Sequence, residues 1–98
     1  MFLFRMKIEE LDVIRLSSLK EDLTRSERAL RAKCPIREMS LISQEEDKPE
    51  LDIYLALDDF IGTDQLRRLV GELTSLIELE AKTSHSARPR VSSELIHI

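Results

Sequence analysis

Residues 51–57 alternate strictly between strongly apolar and less apolar side chains. The first set is Leu51, Ile53, Leu55 and Leu57, and the set between them is Asp52, Tyr54 and Ala56. Because successive side chains of a β-strand point to opposite sides, this pattern predicts a strand with one buried face. Such a strand needs neighbouring strands and an apolar layer that covers it, so the rest of the chain has to supply both.

Two further segments read as strands, and a third is ambiguous. Residues 2–8 alternate in the same way, with Phe2, Phe4, Met6 and Ile8 on one side. Residues 36–43 form a second candidate, joined to the strand at 51–57 by the polar turn 44–49 as a hairpin. Residues 91–98 read as a short closing strand or as a tail that orders only against a partner.

The first helix is predicted to start at Asp12 or Ser17 and to end at Lys33. Its apolar stripe recurs at helical spacing and consists of Leu16, Leu19, Leu23 and Leu30. Ser18 followed by Glu21 resembles a capping box, which favours the later start. Pro35 ends the helix, because the residue before a proline is pushed out of the helical region.

A second helix is predicted after Gly62, with Thr63 or Asp64 as its N-cap. Its stripe is Leu66, Leu69, Val70, Leu73 and Leu76. Gly71 interrupts the helix at a cost of roughly 1 kcal/mol relative to alanine, which close packing on the sheet would explain. Residues 77–81 also alternate, so they read either as a fourth strand or as more helix.

This element order predicts a fold of the α+β class. Two right-handed βαβ units give a ferredoxin-like two-layer sandwich (β-α-β-β-α-β), an antiparallel sheet with two helices on one face. We expect a single domain over residues 1–83, followed by a polar linker and a C-terminal tail or short closing strand over 84–98. Because this fold hosts many activities, it says little about function.

Composition narrows the classes of partner. The 98 residues carry a net charge of −4 with a pI of about 5.2, which argues against general binding of nucleic acid or anionic membranes. No apolar run is long enough to span a membrane. Cys34 is the only cysteine, so an internal disulfide is impossible and a reducing, cytoplasmic setting fits best.

Charge is unevenly distributed along the chain. Residues 20–37 contain six basic side chains (Lys20, Arg25, Arg28, Arg31, Lys33, Arg37) against three acidic ones (Glu21, Asp22, Glu27). Arg25, Arg28 and Arg31 follow one side of the first helix as a possible docking stripe. The hairpin turn carries the acidic run Glu45, Glu46 and Asp47. A dimer that pairs these two surfaces would weaken with salt.

Candidate chemical sites are sparse. Asp58, Asp59 and Asp64 lie between a strand and a helix, where carboxylates could bind a metal. Cys34 lies at a helix C-terminus, where the helix dipole opposes a thiolate. His85 and His97 are too few for a metal site. We therefore expect no catalytic residues, no cofactor and no metal, and hence a protein that is not an enzyme.

The leading interpretation is a non-enzymatic protein-interaction, adaptor or regulatory module that works as a homodimer. Its contacts would come from the sheet face or a sheet edge, with Asp52 and Tyr54 on that face. The arginine stripe and the acidic turn would set orientation and association rate. Two alternatives stay open: a regulatory domain that senses a ligand or metal, and an acidic inhibitor or immunity-type protein that binds a basic partner.

Overall fold

The computed structural model describes residues 1–97 and contains six elements. In chain order they are β1 (Phe2–Glu9), α1 (Val13–Lys33), β2 (Ile36–Gln44), β3 (Glu50–Leu57), α2 (Thr63–Thr83) and β4 (Arg90–His97). The strands form one antiparallel sheet in the order β2-β3-β1-β4. This arrangement confirms the predicted ferredoxin-like α+β sandwich.

The core lies between the sheet and the two helices. The alternation that predicted β3 is reproduced in its burial, since Leu51, Ile53, Leu55 and Leu57 are all fully buried. On β1 the buried positions are Phe4, Met6 and Ile8. The helix stripes that cover them are Leu16, Leu19, Leu23 and Leu30 of α1 and Leu69, Leu73, Ile77 and Ala81 of α2. The core is therefore mainly aliphatic, with the ring of Phe4 buried in it, and covers one face of the sheet only.

Helix α1 starts at the earlier of the two predicted positions, Asp12 rather than Ser17. Asp12 is the N-cap, and its side chain accepts a hydrogen bond of 2.8 Å from the backbone N–H of Arg15. The capping box at Ser18 and Glu21 is therefore wrong, because both residues lie inside the helix. Starting at Val13 gives α1 21 residues, which brings Arg15 onto the same helix as the apolar stripe.

The start of α2 differs from the prediction. Gly62 is the N-cap, where Thr63 or Asp64 was expected, and its backbone N–H donates to the Gln65 side chain over 2.9 Å. The Gln65 side chain, three residues after the N-cap, thus accepts from the N-cap backbone N–H, as the third helical residue does in a capping box. Thr63 and Asp64 both fall within the first turn, and an acidic side chain there favours the helix dipole.

The second half of α2 settles the ambiguous segment 77–81 as helix. The helix continues to Thr83 and ends with His85 in the left-handed region at φ 53°. There, the His85 N–H donates a hydrogen bond to Lys82 O, and the Ser86 N–H donates one to Ala81 O. This pair of hydrogen bonds is typical of a Schellman motif. The chain then turns into β4, so the fourth strand lies at Arg90–His97 and its neighbour Ile98 is outside the described residues.

Gly71 does not pack against the sheet, so the predicted reason for this glycine is wrong. The residue is exposed, and a Cβ placed there would meet no atom within 4 Å. The helix therefore carries the cost of a mid-helix glycine without a close approach that requires it.

None of the helices formed by residues 1–97 combines the length and the apolar composition that a membrane crossing requires.

Candidate functional site

The sheet has one face without helices, which we call the open face. The strand registers place its side chains in rows: Leu3 lies between Ala56 and Ile96, Arg5 lies between Tyr54 and Glu94, and Lys7 lies between Asp52 and Ser92. Ser40 and Ile42 extend the second and third rows onto β2. Asp52 and Tyr54, two of the predicted partner-binding residues, therefore lie near the centre of this face.

Arg5 is the centre of the charged part of the open face. Its guanidinium lies 3.5 Å from the carboxylates of both Asp52 and Glu94 and 5.7 Å from the centroid of the Tyr54 ring. The nearby Asp52 carboxylate is the main reason why the pKa of Arg5 is raised. The Arg5 Nε atom is buried without an acceptor. Arg5 thus ties three strands together across their outer side.

Lys7 neutralises the next part of the open face. Its ammonium lies 3.7 Å from the carboxylates of both Glu9 and Glu50. Each basic side chain at the centre of the face therefore has carboxylate partners on that same face. The apolar part consists of the row formed by Leu3, Ala56 and Ile96, and of Ile42 on β2, which is 58% exposed. The centre of the open face around Arg5 and Lys7 is consequently a neutralised polar surface.

β4 exposes apolar side chains that ought to belong to the core. Val91 and Leu95 lie on the helix side, opposite Ile8 and Phe4 of β1. Ile8 and Phe4 are 0% and 3% exposed, whereas Val91 and Leu95 are 42% and 43% exposed. The helical layer therefore ends over β1 and leaves the helix side of β4 uncovered.

A cleft follows from this incomplete cover. It has a volume of about 270 Å³ and lies between α2 and the start of β4, with Thr74, Ile77, Glu78, Arg88, Pro89 and Val91 as its lining. Arg88 forms an ion pair with Glu78 across its mouth. On the other side of this pair lies a second, open depression of about 440 Å³ beside Leu79 and Lys82.

The predicted arginine stripe and acidic turn are not brought together within one chain. Arg25 pairs with Asp22, and Arg31 lies 3.5 Å from Glu27, so both have partners on their own helix. Lys20 donates to Ser43, which places the first half of α1 beside the end of β2. The acidic turn with Glu45, Glu46 and Asp47 follows that end, whereas Arg28 and Arg31 lie towards the other end of the domain.

The aspartates after β3 are engaged by cations. Asp58 pairs with Arg37, and Asp59 pairs with the Met1 amino group and lies 3.9 Å from His97. The hydrogen bond from the amino group is the main cause of the lowered pKa of Asp59. Across residues 1–97, no three His, Cys, Asp or Glu side chains group closely enough to hold a metal ion.

Cys34 is buried at the junction of α1 and β2. It is 3% exposed, and its Sγ donates a weak hydrogen bond to Gln65 O over 3.7 Å. Burial is the main reason why the pKa of its thiol is raised. The position therefore disfavours the thiolate, as expected from the helix C-terminus, and keeps the sulfur away from reagents in solvent.

The structure contains one buried charged pair that the sequence reasoning missed. Arg15 of α1 and Glu80 of α2 are 7% and 4% exposed and meet in a bidentate geometry. Arg15 Nε lies 3.3 Å from both carboxylate oxygens, and a terminal nitrogen lies 3.1 Å from Oε2. The available signal was spacing: Arg15 is four residues before Leu19, and Glu80 is three residues after Ile77, on the two apolar stripes.

Comparison with known proteins identifies similarity in structure only. No family model and no curated protein sequence matches the chain. The de novo designed protein Foldit4 superposes with a TM-score of 0.75 at 12% identity, over 99% of this chain and 97% of that one. A dimeric ferredoxin-like protein from an uncultured marine organism gives 0.62 at 10% identity, over 100% and 94%. These similarities confirm the fold.

A third similar structure overturns the expectation that the chain is not an enzyme. SnoaB, a cofactor-independent oxygenase from Streptomyces nogalater, superposes with a TM-score of 0.63 at 10% identity, over 99% of this chain and 91% of that one. The exclusion assumed that an enzyme would show a nucleophile with its base or a set of metal ligands. An oxygenase that needs no cofactor carries no such metal signature, so the lack of such motifs in a sequence does not exclude an enzyme.

Proposed function

We propose that this chain works as a homodimer whose contact surface lies on the β4 side of the sheet. The observation that carries the proposal is the exposure of Val91, Leu95 and Ile96, each 42–43% exposed on a strand that has no covering layer. Val91 and Leu95 share the helix side of this strand, and Ile96 lies on its open face, so the β4 edge exposes aliphatic surface on both sides, which a subunit contact can cover. Two similar solved structures are described as dimeric ferredoxin-like proteins, which supports the proposal.

The central open face is a poorer candidate for the contact. Covering it would remove water from Arg5, Lys7 and the carboxylates around them. Each buried ion costs several kcal/mol in desolvation, and its attraction to a partner only partly offsets that cost. The cores of subunit interfaces are accordingly depleted in charged residues. In the proposed dimer the charged part of the open face stays in contact with solvent.

Light scattering coupled to size-exclusion chromatography tests the homodimer, at low and at high salt. An apolar contact through β4 predicts a dimer that persists at high salt, because screening weakens charge pairs and leaves apolar burial intact. A dimer that dissociates at high salt would instead support pairing of the arginine stripe (Arg25, Arg28 and Arg31) with the acidic turn of a second copy. A monomer under both conditions contradicts the proposal.

A second candidate function is the oxygenation of a small molecule without a cofactor. The similarity to SnoaB favours it, together with the cleft between α2 and β4, where Ile77 and Val91 form an apolar lining and Arg88 and Glu78 lie at the mouth. Apolar clefts with a few polar groups are the usual form of a small-molecule site.

Dioxygen uptake tests this second candidate. The protein is incubated with a set of easily oxidised phenols in an oxygen electrode, beside the Arg88→Gln variant and a control, Arg67→Gln, changed elsewhere on the surface. Activity at this cleft predicts uptake that the control retains and Arg88→Gln reduces. Uptake no faster than that of the phenols alone, for the whole set, contradicts it.

A further inference from the structure

β4 is an edge strand without the usual protection against pairing. All eight of its residues are exposed. Its register with β1 is continuous from Glu9–Arg90 to Phe2–His97, it contains neither proline nor lysine, and its charged residues Arg90 and Glu94 both lie on the open face. Natural sheets normally block their edges with such residues, with bulges or with a covering element, because an open edge pairs with other strands.

The opposite edge of the same sheet shows what protection looks like. β2 contains a register shift between Ile36 and Glu38, and Lys20 of α1 lies over its far end through the bond to Ser43. Within one small protein, one edge is thus interrupted and flanked by a helix, while the other is regular along its whole length and carries the exposed aliphatic residues Val91 and Leu95. The contrast leaves the β4 edge open to pairing with another strand.

We propose that the partner of β4 is the β4 strand of a second copy, paired antiparallel about a two-fold axis at Ser93. This proposal rests on the homodimer proposed above and specifies its contact. The axis would run perpendicular to the sheet, so the two sheets would join into one of eight strands with all four helices on one side. Such a contact is isologous, because the same surface of both copies meets, and the assembly is complete with two copies.

The position of the axis follows from the side chains of β4. With the axis at Ser93, Val91 of each copy lies directly opposite Leu95 of the other, on the helix side. On the open face, Ser92 lies opposite Glu94, which can accept a hydrogen bond from the serine hydroxyl. An axis at Ser92 would instead place Val91 opposite Ser93, and an axis at Glu94 would place two carboxylates opposite each other.

This register completes the layer that each protomer lacks. The four aliphatic side chains, Val91 and Leu95 from both copies, would form one cluster at the seam between the two α2 helices. The cluster covers the surface that α2 leaves exposed on β4 in a single chain. The same register keeps Arg5 and Asp52 at the solvent side, so no central charged pair is buried by the contact.

Disulfide trapping tests the register directly. In a Cys34→Ala background, Ser93→Cys places two thiols opposite each other, with Cα atoms about 4.5–5.5 Å apart, which a disulfide can span. Ser92→Cys is the matched control, because its two copies would be diagonal neighbours about 7–8 Å apart. Under mild oxidation we expect covalent dimer from Ser93→Cys at least about tenfold faster than from Ser92→Cys.

Each outcome of this experiment has a definite meaning. A dimer by light scattering with fast trapping at Ser93→Cys supports the inference. A dimer in which Ser93→Cys traps no faster than Ser92→Cys overturns the register and leaves the homodimer standing. A monomer at millimolar concentration with no trapping at either position overturns both the inference and the homodimer.

A variant without cysteine gives an independent measurement. Leu95→Lys places two ammonium groups in the apolar seam, and we expect the dimer dissociation constant to rise at least about tenfold. Ile14→Lys is the control, since Ile14 is 82% exposed on α1, the helix that packs over β2 and β3. Equal dissociation constants for the two variants overturn the inference. An unchanged circular dichroism spectrum shows that Leu95→Lys still folds.

Discussion

Removing one partner of the buried Arg15–Glu80 pair should destabilise the protein strongly. Arg15→Met deletes three short contacts to Glu80 and leaves that carboxylate 4% exposed with no cation. An uncompensated buried charge costs about 3–5 kcal/mol. Since a domain of this size has only about 5–15 kcal/mol of stability in total, the variant should lose a large fraction of it.

Replacing both partners should cost far less than the sum of the single changes. In Arg15→Met/Glu80→Met no charge is left to desolvate, and two apolar side chains of similar length fill the space between the helices. Replacing a whole buried ion pair by apolar residues is often neutral or stabilising. The double-mutant cycle should therefore show a coupling energy above about 3 kcal/mol between the two positions.

Urea unfolding followed by circular dichroism measures these differences for the unchanged protein, Arg15→Met, Glu80→Met and the double variant. All four are measured at one protein concentration, because dimerisation would make stability concentration-dependent. Glu80→Gln serves as a further comparison, since it keeps the shape and some hydrogen bonds but leaves Arg15 without a counter-charge. Single variants that lose less than about 1 kcal/mol, or a double variant that loses the sum of the two, would refute the reasoning.

Three other positions carry independent predictions. Gly71→Ala should raise stability by about 1 kcal/mol and the melting temperature by about 4–8 °C, because the helix gains propensity and the new Cβ meets no atom within 4 Å; an unchanged melting curve would count against this. His85→Gly should stabilise by about 1 kcal/mol, since φ is 53° there, whereas His85→Ala should not; equal effects would show that backbone strain is irrelevant. The buried Cys34 thiol, with its raised pKa, should react with a maleimide far more slowly in the folded protein than in urea at the same pH; equal rates would contradict its burial.

Most strands and helices followed from local patterns, and the element order led to the correct fold, while the segments 77–81 and 91–98 stayed ambiguous in the sequence. The alternation at 51–57 predicted β3 with the correct buried side, and the leucine stripe from Leu16 to Leu30 predicted the buried side of α1. These patterns are local because the buried side chains of a strand or helix recur about every two to four residues along the chain. The boundaries were less determined, since Asp12 and Ser18 are both good caps and only packing chooses between them.

The candidate site was only partly accessible in this way. Asp52 and Tyr54 could be placed on the outer side of β3 from the alternation. Their common partner Arg5 lies 47 and 49 positions away in sequence on β1, and only the strand register brings it beside them. The exclusion of enzymes failed for a different reason, because it depended on motifs that a cofactor-independent oxygenase does not need.

The sequence by itself determined the first three strands, the apolar stripes of both helices and the ferredoxin-like order of elements, because side-chain periodicity and turn chemistry act over a few residues. Only the tertiary structure decided that Arg15 and Glu80 meet in the interior and that Val91 and Leu95 remain exposed although they face the helices. Both outcomes depend on where α2 lies over the sheet, and that position is set by the packing of the whole chain.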